Sequence, residues 1–115
     1  MSDPIASDTR DASDARDASG ARDALDAQLH DAINAIAIVR TLLVASDYDG
    51  TLATLVDDPA LAVPHPRAIA ALRGLAALPD THVALLSGRS LDDLTRLSGL
   101  SGTAILIGSH GSEVE

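Results

Sequence analysis

Hydrophobic positions are distributed unevenly along this chain. Residues 8–27 carry almost no large apolar side chain and repeat the pattern Asp-Ala-x, with Asp at 8, 11, 14, 17, 23 and 26 and Arg at 10, 16 and 22. A period of three builds no apolar stripe on a helix, so residues 1–24 are expected to be a solvated, disordered acidic tail. From Leu25 the pattern changes. Leu25, Leu29, Ile33 and Ile36 recur at helical spacing, which predicts an amphipathic helix over 25–40. Leu42-Leu43-Val44-Ala45 follows as a short continuous apolar run, ended by Ser46 and Asp47. Such a run predicts a strand buried on both faces of a parallel sheet.

Residues 53–66 hold Asp57, Asp58, Pro59, Pro64 and Pro66 and read as an irregular connection. Pro66 suits a helix N-terminus, and Ile69, Leu72, Leu75 and Ala76 give the next helix an inward side that ends before Pro79. His82 to Leu86 is a second buried strand. Ser90 and Asp93 have the spacing of a capping box, Leu91, Leu94 and Leu97 form an apolar face, and Gly99 is placed to close the helix. Thr103 to Ile107 is a third strand, broken by Gly108. The predicted order is helix, strand, helix, strand, helix, strand. That alternation defines an α/β fold: a partial Rossmann-like parallel sheet of three strands with helices packed on it.

Composition narrows the function. The chain has 115 residues, one Tyr, no Phe, no Trp and a net charge of −9. The core must come from Leu, Ile, Val and Ala. An acidic chain repels nucleic acid and anionic membrane, and no apolar run has the length of a bilayer span. With no Cys there is no disulfide and no thiolate metal site. The start, Met-Ser-Asp-Pro, lacks the character of a signal peptide, and the expected location is cytoplasmic.

In open parallel sheets ligands bind beyond the carboxyl ends of the strands. Here those ends carry Asp47-Tyr48-Asp49-Gly50-Thr51, Ser87-Gly88-Arg89 and Gly108-Ser109-His110-Gly111, so three polar loops converge on one edge. Asp47 and Asp49 are two apart and are expected to face the same side. Two close carboxylates repel unless a cation intervenes, and a hard divalent cation such as Mg²⁺ meets that need. Gly50 permits a sharp turn, while Thr51 and Ser87 supply hydroxyls beside backbone N–H groups that suit a phosphate.

Asp47-Tyr48-Asp49-Gly50-Thr51-Leu52 resembles the first motif of the haloacid dehalogenase-like superfamily, and Ser87 its second. Adding Leu85-Leu86-Ser87-Gly88-Arg89-Ser90 and Gly108-Ser109-His110-Gly111 followed by Glu113, residues 41–115 resemble the trehalose-6-phosphate phosphatase family. The resemblance implies Asp47 as the nucleophile that forms an aspartyl-phosphate and Asp49 as the general acid and then base. It implies Mg²⁺ on the Asp47 carboxylate and the Asp49 carbonyl. Thr51, Ser87, Gly88 and Arg89 would surround the substrate, trehalose 6-phosphate. Within that family the core continues beyond a cap domain and supplies a Lys and an acidic pair. This sequence has no Lys and ends at Glu115, so it is expected to be an N-terminal fragment, inactive by itself. The alternatives are another sugar-phosphate phosphatase of the superfamily and a non-catalytic remnant that binds a partner. A receiver domain is set aside, because no Asp ends strand two or three.

Overall fold

The structure is a computed structural model describing residues 5–115, with side chains from residue 15 onward. It divides into two compact units, Met1–Val39 and Arg40–Glu115. The first contains one helix, α1 (Ile5–Ala37). A continuous helix thus replaces the disordered stretch and boundary expected near residue 24. Residues 1–4 of that expectation lie outside the described residues. The reason is local: Ala is the best helix former, and no Pro interrupts the chain between Pro4 and Pro59. The absent stripe does matter for burial. Every residue from 15 to 37 is exposed, including Leu25, Leu29, Ile33 and Ile36. Among the described residues no helix is long and apolar enough to cross a membrane.

The second unit runs β1 (Leu42–Asp47), α2 (Pro66–Ala76), β2 (Thr81–Leu86), α3 (Leu91–Ser98), β3 (Ile105–Gly108) and β4 (Glu113–Val114), with short 3-10 turns at Pro59–Leu61 and Ser109–Gly111. The sheet order is β1-β2-β3-β4. The first three strands are parallel, while β4 pairs antiparallel with β3 through Ile107 opposite Val114. The sequence reading contains three strands; a two-residue strand has no periodicity to reveal it.

Helix ends follow their chemistry. His65 Nδ1 accepts from Arg67 N–H at 3.2 Å ahead of α2, and Pro66 occupies its first turn. Ser90 Oγ accepts from Asp93 N–H at 3.2 Å, and Gly99, at φ 66°, closes α3 through its N–H to Thr95 O. The Ser half of the capping box forms, while the Asp93 carboxylate accepts from Arg96 at 3.1 Å.

Stepwise right-handed crossovers place both helices on one face of the sheet. There Leu72 of α2 and Leu94 of α3 pack with Val83, Leu85, Leu106, Leu100 and the lone aromatic, Tyr48. Pairing in register puts Leu43, Leu86 and Ile105 on the other face, where each is exposed. This overturns the expectation that β1 is buried on both faces. As the outermost strand, with helices on one side only, it alternates between half-buried and exposed positions, and Leu43 is 61% exposed.

Candidate active site

The strand ends position the chemistry-bearing residues. Asp47 closes β1, exposed, in register with Leu86 at the end of β2. Tyr48 then turns into the core. It is fully buried, and its hydroxyl donates to Ala62 O at 2.5 Å, tying the β1 loop to the long connection behind it. Burial pushes the Tyr48 phenol above its ordinary pKa; the Arg89 guanidinium pulls the other way. The loop is tight: Leu52 and Ala53 N–H groups donate to Tyr48 O at 3.0 and 3.1 Å, and Gly50 N–H donates to Ala53 O at 2.8 Å. Gly50 sits at φ 79°, a left-handed conformation that costs glycine little.

The loops after β2 and β3 are stitched together. Ser87 N–H donates to Ile107 O at 2.9 Å, His110 N–H to Ser87 O at 3.1 Å, and Ser109 N–H to Arg89 O at 2.6 Å. Ser87 is buried, and its Oγ accepts from Arg89 N–H at 3.0 Å. The His110 ring lies against Gly88 so closely that a Cβ there would stand 2.5 Å from Cε1. Ser109 and His110 both hold positive φ, 48° and 53°, the mark of a loop forced into shape by its surroundings.

These loops enclose a cleft of roughly 310 Å³ lined by Asp47, Leu86, Ser87, Gly88, Ile107, His110 and Gly111. Asp47, Ser87 and Gly88 therefore come together. Asp49 and Thr51 are not in that lining; Thr51 borders a neighbouring hollow with His65 and Pro66. The expectation that Asp47 and Asp49 face the same side rests on strand alternation, but β1 ends at Asp47 and the buried Tyr48 redirects the chain.

The Asp49 carboxylate instead meets Arg89. Arg89 Nε donates to Oδ2 at 2.8 Å and Oδ1 at 3.1 Å, and Nη2 donates to Oδ1 at 2.6 Å. Nη1 donates to Pro59 O at 2.7 Å, and the guanidinium carbon lies 5.8 Å from the Tyr48 ring centroid. The hydrogen bonds to Asp49 raise the Arg89 pKa further above its usual value. The sequence reading leaves His110 out of the candidate site; its signal was the polar loop after the third strand. Nothing in the sequence marked Tyr48 as the anchor of the loop after β1.

The parallel α/β sheet brings an aspartate and a serine loop to one cleft at its carboxyl ends, where such sheets bind ligands. The comparisons narrow the class. The Trehalose-phosphatase family model matches residues 45–115, and the chain belongs to that family. It is 43% identical over 93 residues to a trehalose-phosphate phosphatase of Mycobacterium ulcerans, covering 76% of this chain and 23% of that protein. The chain thus spans about a quarter of the length of the curated relatives it matches. Among solved structures, the Aspergillus fumigatus trehalose-6-phosphate phosphatase aligns with a TM-score of 0.60 at 37% identity, over 66% of this chain and 28% of that one. The C-terminal domain of the C. albicans trehalose-6-phosphate phosphatase aligns with a TM-score of 0.60 at 32% identity, over 66% and 26%.

Proposed function

We propose that this chain carries the nucleophile half of a trehalose-6-phosphate phosphatase of the haloacid dehalogenase-like superfamily. The observation that carries the reading is that Asp47, Ser87 and Gly88 line one cleft where parallel strands β1 and β2 end. An Asp47 oxygen attacks phosphorus, and the bond from phosphorus to the sugar oxygen breaks. Asp49 gives that oxygen its proton, and trehalose leaves. Water then attacks the aspartyl-phosphate, Asp49 takes a proton from it, and phosphate departs with Asp47 restored. Thr51 and Ser87 hydroxyls, the Gly88 N–H and Arg89 hold phosphoryl oxygens.

A magnesium ion fits the donors in kind. The Asp47 carboxylate and Asp49 carbonyl are hard oxygens, and that carbonyl accepts no hydrogen bond among the described residues. The described residues hold no cluster of three or more His, Cys, Asp or Glu side chains suited to a metal. One carboxylate and one carbonyl suit a cation that keeps several waters. When bound, the ion neutralises charge that develops on the phosphoryl group. This chain contains no Lys, so the cation that the family resemblance places beside the intermediate is not among its residues.

The test is phosphate release from trehalose 6-phosphate. The 115-residue chain alone is expected to release none. Residues 41–115 exchanged into the matching segment of the M. ulcerans relative are expected to give an active hybrid, and Asp47→Asn to lower its rate more than about a thousandfold. A folded hybrid without activity would favour the second reading, a non-catalytic segment that binds a partner through the exposed sheet face of Leu43, Leu86 and Ile105.

A further inference from the structure

Arg89 engages every nitrogen of its guanidinium. Nε and Nη2 form a fork on Asp49, and Nη1 is held by Pro59 O. The side chain is only 12% exposed, against 31% for Asp49. Both Asp49 oxygens are thereby occupied by donors, and the residue assigned to proton transfer is absent from the cleft lining that contains Asp47. The fork holds the carboxylate against Arg89, with Oδ1 accepting two of its bonds and Oδ2 one. Arg89 stands two residues from Ser87, which does line the cleft, and its N–H is bonded to Ser87 Oγ at 3.0 Å.

From these contacts we infer that Arg89 is a latch on Asp49: it holds the carboxylate aside while the cleft is empty and releases it when a phosphate monoester takes the guanidinium. The inference rests on the phosphatase reading above. The exchange is competitive at one edge of the guanidinium, because the Nε and Nη2 fork is the edge that faces Asp49. Each Nη keeps a second N–H beyond its present bond, but a phosphate that takes the Nε and Nη2 edge in bidentate fashion displaces the Asp49 carboxylate. A phosphate monoester dianion is suited to that displacement, with more charge than a carboxylate and oxygens that match the planar fork. The Pro59 carbonyl and the Tyr48 ring face keep the guanidinium near the loop during the exchange, so the movement is a change of partner within one side chain. Arg89 is on this account a positioning residue for Asp49, distinct from a fixed phosphate clamp. A fixed clamp would hold Arg89 on phosphate without touching the acid.

The Arg89 Nε–H resonance of the ¹⁵N-labelled chain reads the latch directly, at constant pH and with no need for turnover. In the empty chain it should exchange slowly with water, and Asp49→Asn and Asp49→Ala should each make it exchange fast. Inorganic phosphate, against chloride at equal ionic strength, should shift the Thr51, Ser87 and Gly88 amides and move the Arg89 Nε–H in the same titration. Trehalose 6-phosphate should do so at lower concentration. If those amides move while the Nε–H stays in its empty-chain state, the latch is overturned and the phosphatase reading stands. If the Nε–H is unchanged by both Asp49 substitutions, the fork is absent in solution and the latch is overturned as well. If no cleft amide responds to either anion, the phosphatase reading fails and takes this inference with it.

Discussion

Helix α1 spans 33 residues and from residue 15 onward buries none of them; helix α3 spans eight, and its Leu94 is wholly enclosed. The longer helix owes its form to backbone propensity, with Ala recurring along it and no proline inside it. The shorter one would be marginal alone, since a helix of two turns barely repays nucleation. It persists because Ser90 and Gly99 satisfy its ends and three leucines face a sheet. Regular backbone and a packed core are therefore separable properties, and this chain holds them in different units.

That contrast can be broken most forcefully at Leu94. Leu94→Ala leaves a hole among Leu85, Leu100 and Leu106 and should cost about 2–5 kcal/mol, enough to threaten the unit of Arg40–Glu115. The single Tyr, at position 48, reports that unit alone, so its fluorescence during urea unfolding should show the loss while the far-ultraviolet signal from α1 remains. A midpoint unchanged from the parent would mean that α3 does not hold the sheet.

Tyr48→Phe is expected to be milder. It strands the Ala62 carbonyl in a buried position at a cost of about 1–3 kcal/mol. Circular dichroism can follow the unfolding, and amide exchange of residues 49–53 should accelerate if the hydroxyl is what fastens the loop after β1. The smallest effect belongs to Gly20→Ala. Gly20 meets nothing within 4 Å, so the added methyl should gain α1 about 0.5–1 kcal/mol of local helix stability. The Tyr48 unfolding curve should not move. A shift there would show that the two units unfold together.

How much of this could be read from residues alone depends on which force was acting. The parallel strands, α2, α3 and the glycine stop at 99 follow from periodicity and end chemistry, which are local signals. The three converging loops follow from topology, and Asp47, Ser87 and Gly88 do share a cleft. What escaped was set by tertiary pairing or by its absence. The continuous helix through residues 5–37 needed no buried stripe, and the Glu113–Val114 strand exists only because β3 lies beside it. The exposed side of β1 reflects helices lying on one face of the sheet. The pairing of Asp49 with Arg89 was not legible, because β1 ends at Asp47 and the buried Tyr48 interrupts strand alternation before Asp49.

The contact between Gly88 and His110 has a reach beyond its two residues. Even a methyl at position 88 would meet the imidazole, and the exposed ring would have to swing aside to admit it, although its backbone is held by Ser87. Positions 88 and 110 are thus neighbours whose sizes bear on one another. A designer who adds bulk at position 88 has to find new room for the ring at position 110, so redrawing the loop after β2 extends to the loop after β3.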